Sequence, residues 1–214
     1  SLGKVHICYN NFVDHNLKYA SNADGQWKRT TIDDSSNSVG NPSGMALDQN
    51  DKVHICYYDS TAKDLRYINN TGGTWARANL ASGNDMGSYC DIAVDSQGKV
   101  HIVFYGATNQ ELYHITDASG AWTNEILDSM GDVGRFCSVA MDEHDRLHAV
   151  YLQWGTFDLM YGSQTGNLWT SVRLDHLRET MYLDTSLALD KEGRPHIAYY
   201  DPTHSDLKYA EPFS

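Results

Sequence analysis

The sequence is most easily bounded by what it lacks. No run approaches the roughly 18 consecutive apolar residues that a membrane-crossing helix needs, so membrane insertion is not expected. No secretory leader or lipidation motif is visible, and the chain opens on Ser1 rather than Met, which leaves room for residues removed upstream. Basic side chains are scarce: 16 Lys and Arg stand against 28 Asp and Glu, a formal charge of −12. Such a surface repels phosphate backbones, so nucleic acid is not an expected partner. The four cysteines, Cys8, Cys56, Cys90 and Cys137, form no CxxC pair, which argues against a zinc ribbon. No segment keeps a helical apolar period between two caps.

What is present is a repeat. GKVHICYN at 3–10 returns as DKVHICYYD (51–59), GKVHIVFYG (98–106), DRLHAVYLQ (145–153) and GRPHIAYYD (193–201). Its histidines, His6, His54, His101, His148 and His196, are spaced 48, 47, 47 and 48 residues apart, and Leu17, Leu65, Leu112, Leu159 and Leu207 keep the same step. Periods of this size point to a solenoid, a propeller or an array. Each unit holds four short β-type runs between Gly, Asn, Asp and Ser loops. GMALD-like and VHICY-like runs are joined by a turn that opens on Asp48, Asp95, Asp142 or Asp190, an LKYA-like run follows, and the last begins at Trp27, Trp75, Trp122 or Trp169. Four antiparallel strands per unit, repeated around an axis, make the blade of a β-propeller. The expected fold is all-β, one domain of five units at 1–43, 44–90, 91–137, 138–185 and 186–214. The first unit lacks its innermost strand and the last its outermost, so the strand count is 3 + 12 + 3 = 18. The favoured reading is five blades with an incomplete seam. The alternative is an arc of a larger ring or one completed by a second chain, since unpaired edges invite self-association.

The loop before the tryptophan reads SNADGQW at 21–27, NNTGGTW at 69–75, TDASGAW at 116–122 and SQTGNLW at 163–169. It resembles a degenerate Asp-box, the hairpin of BNR/sialidase-like propellers, with an acid at Asp24 and Asp117 alone. The resemblance implies that this loop is structural and lies on the face away from any ligand. It also implies an extracellular or cell-surface setting.

The repeated histidines read as inter-blade core groups bonded to a backbone or an Asp, and the repeated aspartates as turn formers. Spread around a ring, neither set gathers a zinc or calcium site, and no cofactor is expected. The cysteines share their slots with Val, Ala, Ser and Thr, as small buried positions do. Function is therefore sought where the copies differ, in two loops per blade on one face. These loops carry Phe12, Tyr89, Phe136, Phe157 and Tyr182, and the candidate ligand-binding residues Trp154, Tyr58, Asp59, Tyr105, Asp132, Arg135, Tyr200 and Asp201. Aromatic faces can stack on the C–H surface of a sugar, while Asp and Arg bond its hydroxyls. Trp154 has no counterpart in other units, and Asp59 and Asp201 each follow Tyr-Tyr. Polar loops with a few anchoring aromatics are the plainer reading, and Asp132 with Arg135 could equally be a local ion pair.

Three functions stay open. One is a lectin-like or adhesion module for a carbohydrate or glycoconjugate, without catalytic residues. A second is a sialidase-type hydrolase, whose family uses three arginines, a Tyr–Glu nucleophile pair and an acid Asp. Of the eight arginines here, only Arg135 and Arg178 fall on the candidate face, although Asp59 with Asp85 or Asp132 could form a carboxylate pair. The third is a protein-interaction scaffold. Fold alone does not choose among them.

Overall fold

A computed structural model describes residues 3–35, 37–178 and 183–210. Those residues form 18 strands and no helix. Five antiparallel sheets follow one another in the chain, with three, four, four, four and three strands. The first holds β1 (His6–Asn11), β2 (Asn16–Ser21) and β3 (Lys28–Asp33); the second β4 (Val39–Leu47), β5 (Val53–Asp59), β6 (Asp64–Asn69) and β7 (Ala76–Ala81). The third holds β8 (Met86–Val94), β9 (Val100–Gly106), β10 (Glu111–Thr116) and β11 (Thr123–Asp128). The fourth holds β12 (Val133–Met141), β13 (Leu147–Gln153), β14 (Asp158–Thr165) and β15 (Leu168–His176); the fifth β16 (Thr185–Leu189), β17 (Pro195–Asp201) and β18 (Asp206–Ala210). Within each sheet, strands successive in sequence are hydrogen-bonded neighbours, and the leading strands β4, β8, β12 and β16 touch in succession. The arrangement is propeller-like.

The repeated residues hold this frame in three ways. Asp48, Asp95, Asp142 and Asp190 each accept two backbone N–H bonds across the turn between the first two strands, as Asp142 does from His144 and Arg146, both at 2.9 Å. The other oxygen of each faces the repeated histidine, 3.4 Å from His148 Nε2 in the fourth sheet. The expected backbone partner of the histidine is instead a tyrosine one strand on: His54 Nδ1 is bonded to Tyr67 Oη at 2.5 Å and His148 to Tyr161 at 2.6 Å. In the third sheet that tyrosine is His114, stacked on His101 with 5.2 Å between ring centroids. The loops before Trp27, Trp75 and Trp122 are tied in too: Asn22, Asn70 and Asp117 accept the N–H of Val5, Val53 and Val100.

Each seam between sheets is built alike. Leu17 and Tyr19 of the first sheet share a cluster with Val53, Ile55 and Trp75 of the second. Leu65 and Tyr67 of the second share one with Val100, Ile102 and Trp122 of the third. A hydrogen bond crosses three of the seams: Tyr57 donates to Asp33 at 2.7 Å, fully buried, and Tyr151 to Asp128 at 2.7 Å and Tyr199 to Asp175 at 2.8 Å, both partly buried. Between the second and third sheets the same two slots hold Ala81 and Phe104. Where the carboxylate is gone the hydroxyl is gone too, so neither group is buried without a partner.

Candidate functional site

The seam between the third and fourth sheets gathers four of the sequence-predicted residues. Tyr105, next to the end of β9, donates its hydroxyl to Asp132 Oδ1 at 2.7 Å. Arg135, early in β12, reaches back with Nε 3.2 Å from Asp132 Oδ1 and Nη2 2.9 Å from Asp132 Oδ2 and 3.1 Å from the Tyr105 hydroxyl. The guanidinium carbon lies 5.0 Å from the Tyr105 ring centroid and 4.5 Å from that of Trp154. Both distances are within cation–π range. The Trp154 backbone N–H donates to the Asp132 carbonyl at 2.7 Å, which anchors the main chain beside the arginine, and Phe157 meets the indole edge-on at 6.0 Å.

Electrostatics act on the tyrosine and the arginine in the same sense. Burial, and then the hydrogen bond to Asp132, push the Tyr105 hydroxyl up to about 12, so it stays a donor. Burial alone would pull the Arg135 guanidinium down, but its bonds to Asp132 and Tyr105 outweigh that and hold it above its ordinary value. The result is a cationic, partly buried plate of arginine and indole. Among the described residues, Arg135 Nη1 has no hydrogen-bond partner, which leaves a donor free for a ligand.

A separate cavity of about 390 Å³ is lined jointly by the four leading strands. Tyr89 and Phe136 enter it from β8 and β12, with rings 4.5 Å apart, and Tyr89 lies 6.2 Å from Tyr105. Both hold φ near 53°, a left-handed conformation costly for bulky side chains and found where surroundings over-determine it. Cys90 and Cys137 line the same cavity as free thiols, and burial pushes the Cys137 thiol well up, so it is not a nucleophile. Asp91, deep in the cavity wall, accepts from Ser138 Oγ at 3.1 Å and from Val139 N at 2.9 Å, with its carboxyl pushed up by burial. Sequence reading missed Asp91, although it is the acid in a slot that otherwise holds Gly44, Ser138 and Ser186.

The remaining predicted residues lie elsewhere. Tyr58 repeats the role of Tyr105 one seam earlier: its hydroxyl bonds Asp85, which Lys63 approaches at 2.9 Å. That seam has Ser88 and Ala107 where the next has Arg135 and Trp154. Asp59 and Asp201 are tied into contacts within the fold. Asp59 is fully buried, ion-paired with Arg66, bonded by Asn37 at 2.6 Å and capping the N–H groups of Thr61 and Ala62 at 3.0 and 2.9 Å. Asp201 is buried against Lys208 at 2.7 Å and His204 at 2.8 Å, and accepts Thr203 N–H at 2.9 Å. Tyr200 lines the outer face of the fifth sheet, away from the plate. Tyr182 falls outside the described residues. With Asp59 committed in this way, the carboxylate pairs proposed from sequence have no free first member. Among the described residues no group of three or more His, Cys, Asp or Glu is placed to hold a metal ion, and no helix is long and apolar enough to cross a membrane.

No protein-family model matches this sequence, and no curated protein matches it. Solved structures do. One is a mutant of AofleA from Arthrobotrys oligospora, at 12% identity and TM-score 0.67, over 96% of this chain and 64% of that one. Another is the fucose-specific lectin from Aleuria aurantia, at 8% identity and TM-score 0.54, over 98% of this chain and 77% of that one. A third is a leech intramolecular trans-sialidase, at 12% identity and TM-score 0.56, over 92% of this chain and 36% of that one. The chain therefore spans between about a third and three quarters of these neighbours' lengths, and at such identities the likeness is one of fold.

Proposed function

We propose that the chain is an extracellular, lectin-like carbohydrate-binding propeller of five repeats, without catalysis, whose sugar seat is the Arg135–Trp154 plate. The observation that carries the reading is the free Nη1 edge of an arginine already fixed by Asp132 and Tyr105 and flanked by an indole. A fixed donor fork beside an aromatic face is what a sugar needs: hydroxyls bond the fork, and C–H groups lie on the ring. Pre-organisation also lowers the entropic cost of binding. The fold is shared with a protein named as a fucose-specific lectin, which supports the same class of ligand.

A sialidase-type hydrolase is the second reading, favoured only by the likeness to a trans-sialidase. Against it, Asp132 is held by Arg135 and Asp59 is sealed by Arg66, so the carboxylate pairs read from the sequence lack a free member. A glycan array that includes fucosides and sialosides tests both. Retention of a defined sugar, lost in Trp154→Ala and Arg135→Ala without turnover of a fluorogenic sialoside, is the expected result. Turnover would instead favour the hydrolase, and silence in both assays would leave a protein-interaction scaffold.

A further inference from the structure

The two ends of the sheet series expose matching halves of one interface. In the first three seams a Leu of one sheet packs with a Val or Leu, an Ile or Ala and a Trp of the next, and in the first two a third-strand Tyr joins them. The leucines Leu17, Leu65, Leu112 and Leu159 are all 0% exposed, and Tyr19 and Tyr67 meet Trp75 and Trp122 edge-on at 5.1 and 5.3 Å. In the fifth sheet the same slots hold Leu207, 80% exposed, and Tyr209, 55% exposed. In the first sheet the other half is equally bare: Val5 and Ile7 are each 43% exposed and Trp27 is 55% exposed. Val53 and Ile55, their counterparts one sheet on, are 1% and 0% exposed.

We infer that the fifth sheet of one copy seats the first sheet of a second copy, head to tail, with Tyr209 against the partner copy's Trp27 and Leu207 against its Val5 and Ile7. The occupant is identified by the chain's own seams, which already join these side-chain types in this order. A head-to-tail joint is heterologous, so it builds rings or open chains rather than a closed symmetric pair. The first sheet offers no counterpart of β8, whose Gly87 lies against Leu65. The joint thus buries less than an interior seam and is reversible. Charge opposes it, since each copy carries −12, and added salt therefore strengthens it.

The test is sedimentation velocity on the purified chain, on Leu207→Asp and on Ile7→Asp across a dilution series. Both substituted positions are already in contact with solvent, and circular dichroism confirms that the variants fold. The wild type is expected to associate with rising concentration and more so at high salt. Each variant alone is expected to stay monomeric, because it lacks one half of the joint. A mixture of the two restores one tail and one head, and gives twice the monomer mass with nothing larger. A wild type that stays monomeric at every concentration overturns the inference. So does a mixture that sediments as two separate monomers, or a single variant that still dimerises.

Discussion

The seam between the second and third sheets and the seam between the third and fourth share a frame but not an occupant. In both, a tyrosine hydroxyl bonds an aspartate from the incoming loop: Tyr58 to Asp85, and Tyr105 to Asp132. In both, that aspartate's carbonyl receives the N–H of the residue just beyond the second strand, Ala107 at 2.9 Å and Trp154 at 2.7 Å. The first then stops at a surface lysine, Lys63, whereas the second adds a clamped arginine and an indole. The Tyr–Asp pair is common to both seams, and the two differ by the residues above it, Ser88 and Ala107 in one and Arg135 and Trp154 in the other. The same seams differ deeper in, with Phe104 facing Ala81 in one and Tyr151 bonded to Asp128 in the other.

The largest effect expected is on the plate itself. Trp154→Ala or Arg135→Ala should weaken sugar binding by a factor of ten or more, about 1.4 kcal/mol or above, measured by titration calorimetry with the array's best ligand. Lys63→Ala, in the sister seam, should leave that affinity unchanged. The converse experiment builds the plate where it is absent. Ser88→Arg with Ala107→Trp should raise the number of sugars bound per chain from one to two, and an unchanged stoichiometry would show that the frame is not transferable.

Next in size is the cross-seam bond. Tyr151→Phe removes the donor to Asp128 and leaves the carboxylate short of a partner, at an expected cost of about 1–3 kcal/mol in urea unfolding. Phe104→Tyr combined with Ala81→Asp should be tolerated better than Phe104→Tyr alone, because the pair restores the bond seen in the neighbouring seam.

The smallest effect separates the third sheet from the fourth by pH. Burial first, and the adjacent His114 second, hold the His101 imidazole below its ordinary value, against the pull of Asp95 and Asp117. Glu125, 2.8 Å from His114 Nδ1, faces the pair from β11. Below about pH 6.5 an unfolded chain takes up protons that the folded His101 refuses, so stability is lost as pH falls through that window. His148 is lowered by burial as well, but its neighbour is Tyr161, which adds no positive charge. His114→Tyr should therefore flatten the acid limb of the melting temperature between pH 6.5 and 5 without removing it. An equally steep limb in that variant would show that the histidine pair is not the cause.

Much of this was legible in the repeat. The strand count, the short first and last sheets and the turn aspartates follow from columns of like residues at a constant step. One further column was legible but overlooked: Asp33, Ala81, Asp128 and Asp175 change together with Tyr57, Phe104, Tyr151 and Tyr199, a pairing that marks contact across a seam. The ion pairs of Asp59 and Asp201 were not legible, because their partners, Arg66 and Lys208, lie on the following strand, where a cation looks like ordinary surface.

Local sequence was sufficient for the strands, turns and seams, because alternation, turn chemistry and a fixed period act over a few residues and then repeat. Which aspartates are sealed and which one presents an arginine was decided only when the chain folded. Tyr105, Asp132 and Trp154 stand far apart in sequence, and their meeting depends on one sheet packing against the next.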